Sequence, residues 1–253
     1  MPDYPAMITP VNHVEPGPRR VRAMLGGETV LDTTRAMYVW ESVYYPQYYI
    51  PLADVREEFL VAEGFRQHSS RGEVELHGLQ VGEAHRAHAV RVLRDSSVAG
   101  LNGTARFEWE ALDAWFEEDE EVYVHPHDPY RRVDVLHSSR HVEVDLDGVR
   151  VADTRRPTLL FETGLPTRYY LPRTDVRLDV LRRSATTSGC AYKGFAEYWT
   201  LPTPDRRFDD VAWSYRTPLP ECQKIAGLVC FYNERVDLTV DGVAQPRPRT
   251  HFS

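Results

Sequence analysis

The chain has 253 residues, 42% of them hydrophobic, 11% aromatic and 27% charged, which is enough apolar material for a buried core and unlike a disordered tract. Thirty basic against 38 acidic residues give a formal net charge of -8, which repels a nucleic-acid backbone on average, and no run of Lys and Arg interleaved with aromatics offsets it. The opening "MPDYPAMITP" lacks a basic start followed by an apolar run, nothing approaches the ~18 apolar residues of a membrane span, and Cys190, Cys222 and Cys230 are too few for a disulfide framework, so a soluble, cytoplasmic protein without membrane or nucleic-acid partners is expected.

In chain order, Gly26-Gly27 reads as a hairpin turn and "AMYVW" as a buried strand running into Glu41. "ADVREEFLVA" reads as a short helix, with Val55 and Phe59 four apart on one face. The two prolines of "YVHPHDPYRR" favour an extended, poorly packed linker. Beyond it, "HVEVDLDGVRVAD" alternates apolar and polar residues on either side of Asp147-Gly148, a strong hairpin signal because type I′ turns need positive φ at both central residues. "PTLLF" reads as a buried strand ending in Glu162, and "TDVRLDVLRR" as a short helix capped by Thr174. "YKGFAEYWTL", "GLVCFY" and "RVDLTVDG" are further strands, separated by the turn-rich "PTPDRR" and "RTPLPE".

These elements occur twice. Without a gap, Arg19 falls on Arg140, Gly27 on Gly148, Asp32-Thr33 on Asp153-Thr154, Arg35 on Arg156, Glu41 on Glu162, Tyr48-Tyr49 on Tyr169-Tyr170 and Asp54-Val55 on Asp175-Val176. One extra residue in the second copy then sets "HSSRGEVEL" against "CAYKGFAEY", so that Arg71 meets Lys193, Gly72 meets Gly194 and His68 meets Cys190. The expected fold is mainly β: two tandem copies of a compact β-rich domain with one or two short helices each, residues 1–122 and 134–253, joined by the linker 123–133.

The stretch "SSRHVEVDLDGVRVADTRRPTLLFETGLPTRYYLPRTDV", with "CAYKGFAEYW" and "IAGLVCFYN", resembles the bacterial family DUF427, also labelled a nucleotidyltransferase family, closely over residues 134 to 243. The first half looks like a diverged copy, and "WFEEDEEVYVHPHDPY" resembles the connector of tandem actinobacterial members. The resemblance implies a β-tent-like domain similar to methionine sulfoxide reductase B, and no particular reaction. Of the parts nucleotidyl transfer needs, neither a P-loop nor a Gly-Ser motif followed by an Asp-x-Asp pair is present; the Asp-x-Asp of "EVDLDG" belongs to the hairpin.

The second copy holds the candidate chemistry. A carboxylate ending an apolar run must be paired, hydrogen-bonded or protonated, so Glu162 is either a pocket acid or base or half of a buried ion pair. Cys190 is a nucleophile favoured by Lys193, a small buried residue at a strand start, or a ligand contact; three apart in a continuous strand the two would face opposite sides, so the first reading needs a turn through "GCAY". Lys193 beside Gly194 suits an anion. Glu162, Cys190 and Lys193 are thus the catalytic candidates, with Arg140, Arg156, Arg168, Tyr169, Tyr192 and Tyr198 as ligand-binding ones. The expected function is binding or transformation of a small anionic metabolite in a polar aromatic pocket of the second copy; the alternative is a non-catalytic ligand-binding or scaffold protein, with nucleotidyl transfer a weaker third option. No cofactor or metal is expected, since the cysteines form no CxxC pair and His125 with His127 is two ligands short, and the acidic run "EEDEE" (117–121) reads as a solvated face or the join between copies. A homo-oligomer is left open.

Overall fold

The computed structural model describes residues 9–253; the first eight residues of the "MPDYPAMITP" stretch lie outside the described residues. The chain falls into two compact units, one ending at Asp128 and the other beginning at Pro129. The first contains β1 (Val14–Pro16), β2 (Val21–Leu25), β3 (Glu28–Thr33), β4 (Met37–Val39), β5 (Gln47–Pro51), β6 (Leu60–Ser69), β7 (Gly72–Val81), β8 (Ala84–Ser96), β9 (Thr104–Phe107), β10 (Ala114–Glu117) and β11 (Glu120–Val122). The second contains β12 (Val133–His137), β13 (Val142–Leu146), β14 (Val149–Thr154), β15 (Thr158–Glu162), β16 (Arg168–Leu171), β17 (Arg182–Cys190), β18 (Gly194–Pro202), β19 (Arg207–Tyr215), β20 (Val229–Phe231), β21 (Asp237–Val240) and β22 (Val243–Gln245).

Each unit has a seven-stranded and a four-stranded antiparallel sheet, ordered β1-β4-β5-β9-β8-β7-β6 and β11-β10-β2-β3 in the first, β12-β15-β16-β20-β19-β18-β17 and β14-β13-β21-β22 in the second. The path is the same strand for strand, so the repeat in the sequence is a repeat in topology. The small-sheet hairpins turn where expected, with positive φ at Gly26 and Gly27 and at Asp147 and Gly148.

Alternation along the strands gives each large sheet two different faces. In the second unit, Leu171, Trp199, Ala212, Val229 and Phe231 pack with Val142, Val144 and Leu146 of the small sheet to form the core between the sheets. The residues that alternate with them, Tyr170, Tyr198, Trp213 and Cys230, form a separate cluster on the outer face with Val135, Leu160 and, from the 3-10 segment Pro220–Ile225, Cys222 and Ile225.

Neither expected short α-helix forms. "ADVREEFLVA" gives the 3-10 turns Leu52–Asp54 and Glu57–Phe59, and "TDVRLDVLRR" gives Arg173–Asp175. The small sheet takes the backbone groups that a helix would need: Val55 and Val176 bridge to Leu31 and Ala152, and the next N–H groups, of Arg56 and Arg177, donate to the carbonyls of Val30 and Val151. Thr174 is no N-cap; Pro172 holds that position and the Thr174 hydroxyl donates to Asp175. The linker is also not loose, because Asp128 is buried and Arg131 reaches Glu162. Nor is the acidic run wholly solvated: Glu117 is buried and accepts from the Tyr48 hydroxyl at 2.6 Å and from Arg19. Among the described residues, no helix is long and apolar enough to cross a membrane.

The turn between β6 and β7 depends on Gly72. Its φ is +126°, and a Cβ there would lie 2.0 Å from the Asp95 carbonyl oxygen, whereas a Cβ at Gly27 (φ +83°) would meet nothing within 4 Å. Gly72→Ala is therefore expected to lower the unfolding free energy in urea by about 2 kcal/mol or more, and Gly27→Ala by about 1 kcal/mol, the left-handed penalty without the clash. Equal losses would remove the close approach as the cause.

Candidate functional site

The outer face of the second large sheet carries the candidate site. β15 ends on Glu162, and β17 and β18 are joined by a tight turn in which Cys190 pairs with Gly194 and the Lys193 N–H donates to the Cys190 carbonyl at 3.3 Å. The turn occupies residues 191–193 and ends on Lys193, so the two residues do not share a continuous strand, and Cys190 lies within electrostatic reach of the Lys193 ammonium, as does Cys222. The turn lies later than "GCAY", since Gly189 and Cys190 still belong to β17.

Lys193 Nζ donates to Glu162 Oε2 at 2.5 Å and Arg131 Nη1 donates to Oε1 at 2.8 Å, with all three side chains close to nine-tenths buried or more. Burial pushes the Glu162 carboxyl upward, but Lys193 and then Arg131 outweigh it and hold the group below its ordinary value of 4.5. For Lys193 burial pulls down, and Glu162 outweighs it, so the ammonium is held above its ordinary range. The pair is ionised in both members.

Around this pair stands a wall of phenols and an indole. Tyr198 shares a 2.7 Å hydrogen bond with Ser188, Trp213 Nε1 donates to the Tyr170 hydroxyl at 3.1 Å, and the Trp213 and Tyr232 rings are 4.5 Å apart. Tyr215 lies within electrostatic reach of both Cys190 and Glu162. Burial pushes the Tyr170 and Tyr215 phenols well above 10, so both stay protonated and able to donate. Arg168 sits farther along the face, its fork closed on Glu234 at 2.7 and 2.8 Å and packed against Trp213, Tyr232 and Phe252. Its guanidinium is committed to that carboxylate.

Of the sequence candidates, Glu162, Cys190, Lys193 and Tyr198 are thus brought together, and Tyr192 joins them in the turn with the Arg131 guanidinium 5.7 Å over its ring. Arg140 is elsewhere, paired with Asp241 at 2.7 Å, and the half-buried Tyr169 points to the inter-sheet core on that side. Arg156 is exposed and grips Asp175, which also accepts from Thr154; Arg35, Asp54 and Thr33 repeat this tie in the first copy. Those repeated residues hold the small sheet to the 3-10 turn. Residues missed in the sequence are Arg131, Tyr170, Trp213, Tyr215, Tyr232 and Glu234. Strand alternation from Arg168 would have selected Tyr170 over its neighbour; Arg131, in the assumed linker, gave no signal.

Register also corrects one match between the copies. Ser69 pairs with Gly72 across the first turn as Cys190 does with Gly194 across the second, so the counterpart of Cys190 is Ser69, and the extra residue lies inside the second turn. His68 pairs with Glu73, and both line an open cavity of about 590 Å³ with Ser70 and Asp95.

A family model described as Domain of unknown function (DUF427) matches residues 13–118 and again residues 134–242. No curated protein matches the chain.

Because the folded carboxyl of Glu162 titrates below 4.5, the stability it contributes is complete above that pH and is lost as the pH falls further. Glu162→Gln leaves Lys193 buried without its anion and is expected to cost about 3–5 kcal/mol near neutrality, with the difference from wild type shrinking toward pH 3 in urea unfolding curves. A difference independent of pH would mean that the ion pair is not the source. In the folded chain a single thiol is expected to alkylate at pH 8, because Cys190 is only half-buried while burial pushes Cys222 to about 11 and Cys230 to about 12. Intact-mass analysis should show one adduct that disappears in Cys190→Ser; two or more adducts on the native chain would contradict this placement.

Proposed function

The chain belongs to the DUF427 family as two tandem domains of unknown function, and from that premise we propose that the second copy binds a small anionic molecule on the outer face of its large sheet. One observation carries this reading: the buried Lys193 ammonium has three N–H donors and, among the described residues, a single side-chain acceptor, Glu162. A purely structural pair in so buried a place would be expected to satisfy the remaining donors, because an unmet buried donor costs about 1–3 kcal/mol. A ligand carboxylate or phosphate oxygen would meet them, with protonated phenols such as Tyr215 donating alongside and Cys190 at the entrance.

The same electrostatics favour binding over proton transfer. A general acid or base works best with a pKa near the operating pH, whereas Glu162 is held below its ordinary range and Lys193 above. Glu162 then positions the two cations around the ligand instead of moving a proton.

A panel of small carboxylates and phosphorylated metabolites is the test. At least one member should raise the unfolding temperature of the wild-type chain and bind Lys193→Met about tenfold more weakly or worse, the loss of one charge-assisted hydrogen bond. If no member acts on the wild type, or Lys193→Met responds equally, the binding reading fails and the face is a satisfied polar scaffold.

A further inference from the structure

The first copy has replaced this face with arginines. On it, the Tyr49 hydroxyl donates to Glu41 Oε1 at 2.7 Å, and Arg106 Nε and Arg71 Nη2 approach the same oxygen at 3.6 and 4.0 Å, within ion-pair range but too far for hydrogen bonds. Arg91 and Arg106 also flank Glu108, Arg91 at 2.6 Å. Three guanidiniums face two carboxylates, which leaves one positive charge in excess. The Arg71 and Arg106 side chains are only 12% and 11% exposed, and the Nε–H of each is buried without a hydrogen-bond acceptor.

The scaffold does not require these charges. Arg106 and Arg91 are cross-strand partners on β9 and β8, and the matching partners on β20 and β19 of the second copy are Cys230 and Trp213. The same sheet therefore closes with a thiol and an indole where the first copy sets two guanidiniums, of which Arg106 is buried. Burying a guanidinium is expensive unless its donors are met, so two with unmet Nε–H groups mark a place for an external acceptor. Arginine forks suit carboxylate and phosphate edges, and a carboxylate has one such edge while a tetrahedral phosphate has several.

We propose that the first copy holds its own oxyanion site, in which Arg71 and Arg106 bind a phosphate group beside Tyr49 and Glu41. It is a different site from the one around Lys193 and does not depend on it.

The test is calorimetric titration of the full chain with inorganic phosphate. Arg106→Cys, which installs the residue of the other copy, and Arg71→Met are each expected to weaken phosphate about tenfold or more when made in a Lys193→Met chain, which removes the second copy's anion-binding ammonium from the comparison. If Arg106→Cys does not fold, Arg71→Met decides. No phosphate binding by the wild type at millimolar concentration, unchanged binding when an arginine is replaced in the Lys193→Met chain, or binding abolished by Lys193→Met alone would each overturn the proposal. The last result would place the phosphate in the second copy, and thus separates the fate of this site from that of the other.

Discussion

A β-strand sends successive side chains to opposite faces, and both copies of this chain are organised by that constraint. The large sheet can bury only every second residue against the small sheet, so the alternate residues must form a second layer of a different kind. In the second copy this separates Tyr169 from Tyr170, Trp199 from Tyr198 and Ala212 from Trp213. The first member of each pair is core, and the second builds the polar aromatic face. The candidate site is therefore a product of the sheet itself and needs no inserted loop or domain.

Burying charge on that face has conditions. A carboxylate is tolerated there because cations and hydrogen-bond donors outweigh its lost hydration, and the two copies meet the condition differently. Glu162 is gripped by Lys193 and Arg131 at hydrogen-bond distance, while Glu41 accepts from Tyr49 and has arginines standing off at longer range. The tight arrangement fixes both protonation states; the looser one leaves guanidinium donors unmet. Duplication thus kept the sheet and varied the chemistry of one face.

Most of what the copies share has another purpose. The Thr-Arg-Asp tie, at Thr33, Arg35 and Asp54 and again at Thr154, Arg156 and Asp175, links a small-sheet strand to a 3-10 turn, and the paired hairpin glycines close the small sheet. Identity between the copies marks mostly the frame, with the Glu41/Glu162 and Tyr49/Tyr170 matches on the outer face as exceptions, and difference marks the cations around them. That is why Arg156, prominent in the repeat, lies away from the site, whereas Arg106 and Cys230, which match only in position, lie on it.

From the sequence alone came the duplication, the β-rich class and the hairpins at Gly26-Gly27 and Asp147-Gly148, because periodicity and turn chemistry are local properties of the chain. The short helices were misread for a related reason: the spacing of Val55 and Phe59 is helical, but bridges to strands distant in sequence claimed the backbone. Only the tertiary structure decided which cation meets Glu162, that Arg131 leaves a proline-rich connector to do so, and that Ser69 stands where Cys190 does. Those outcomes depend on strand register and on contacts between residues far apart in the chain, which no local pattern encodes.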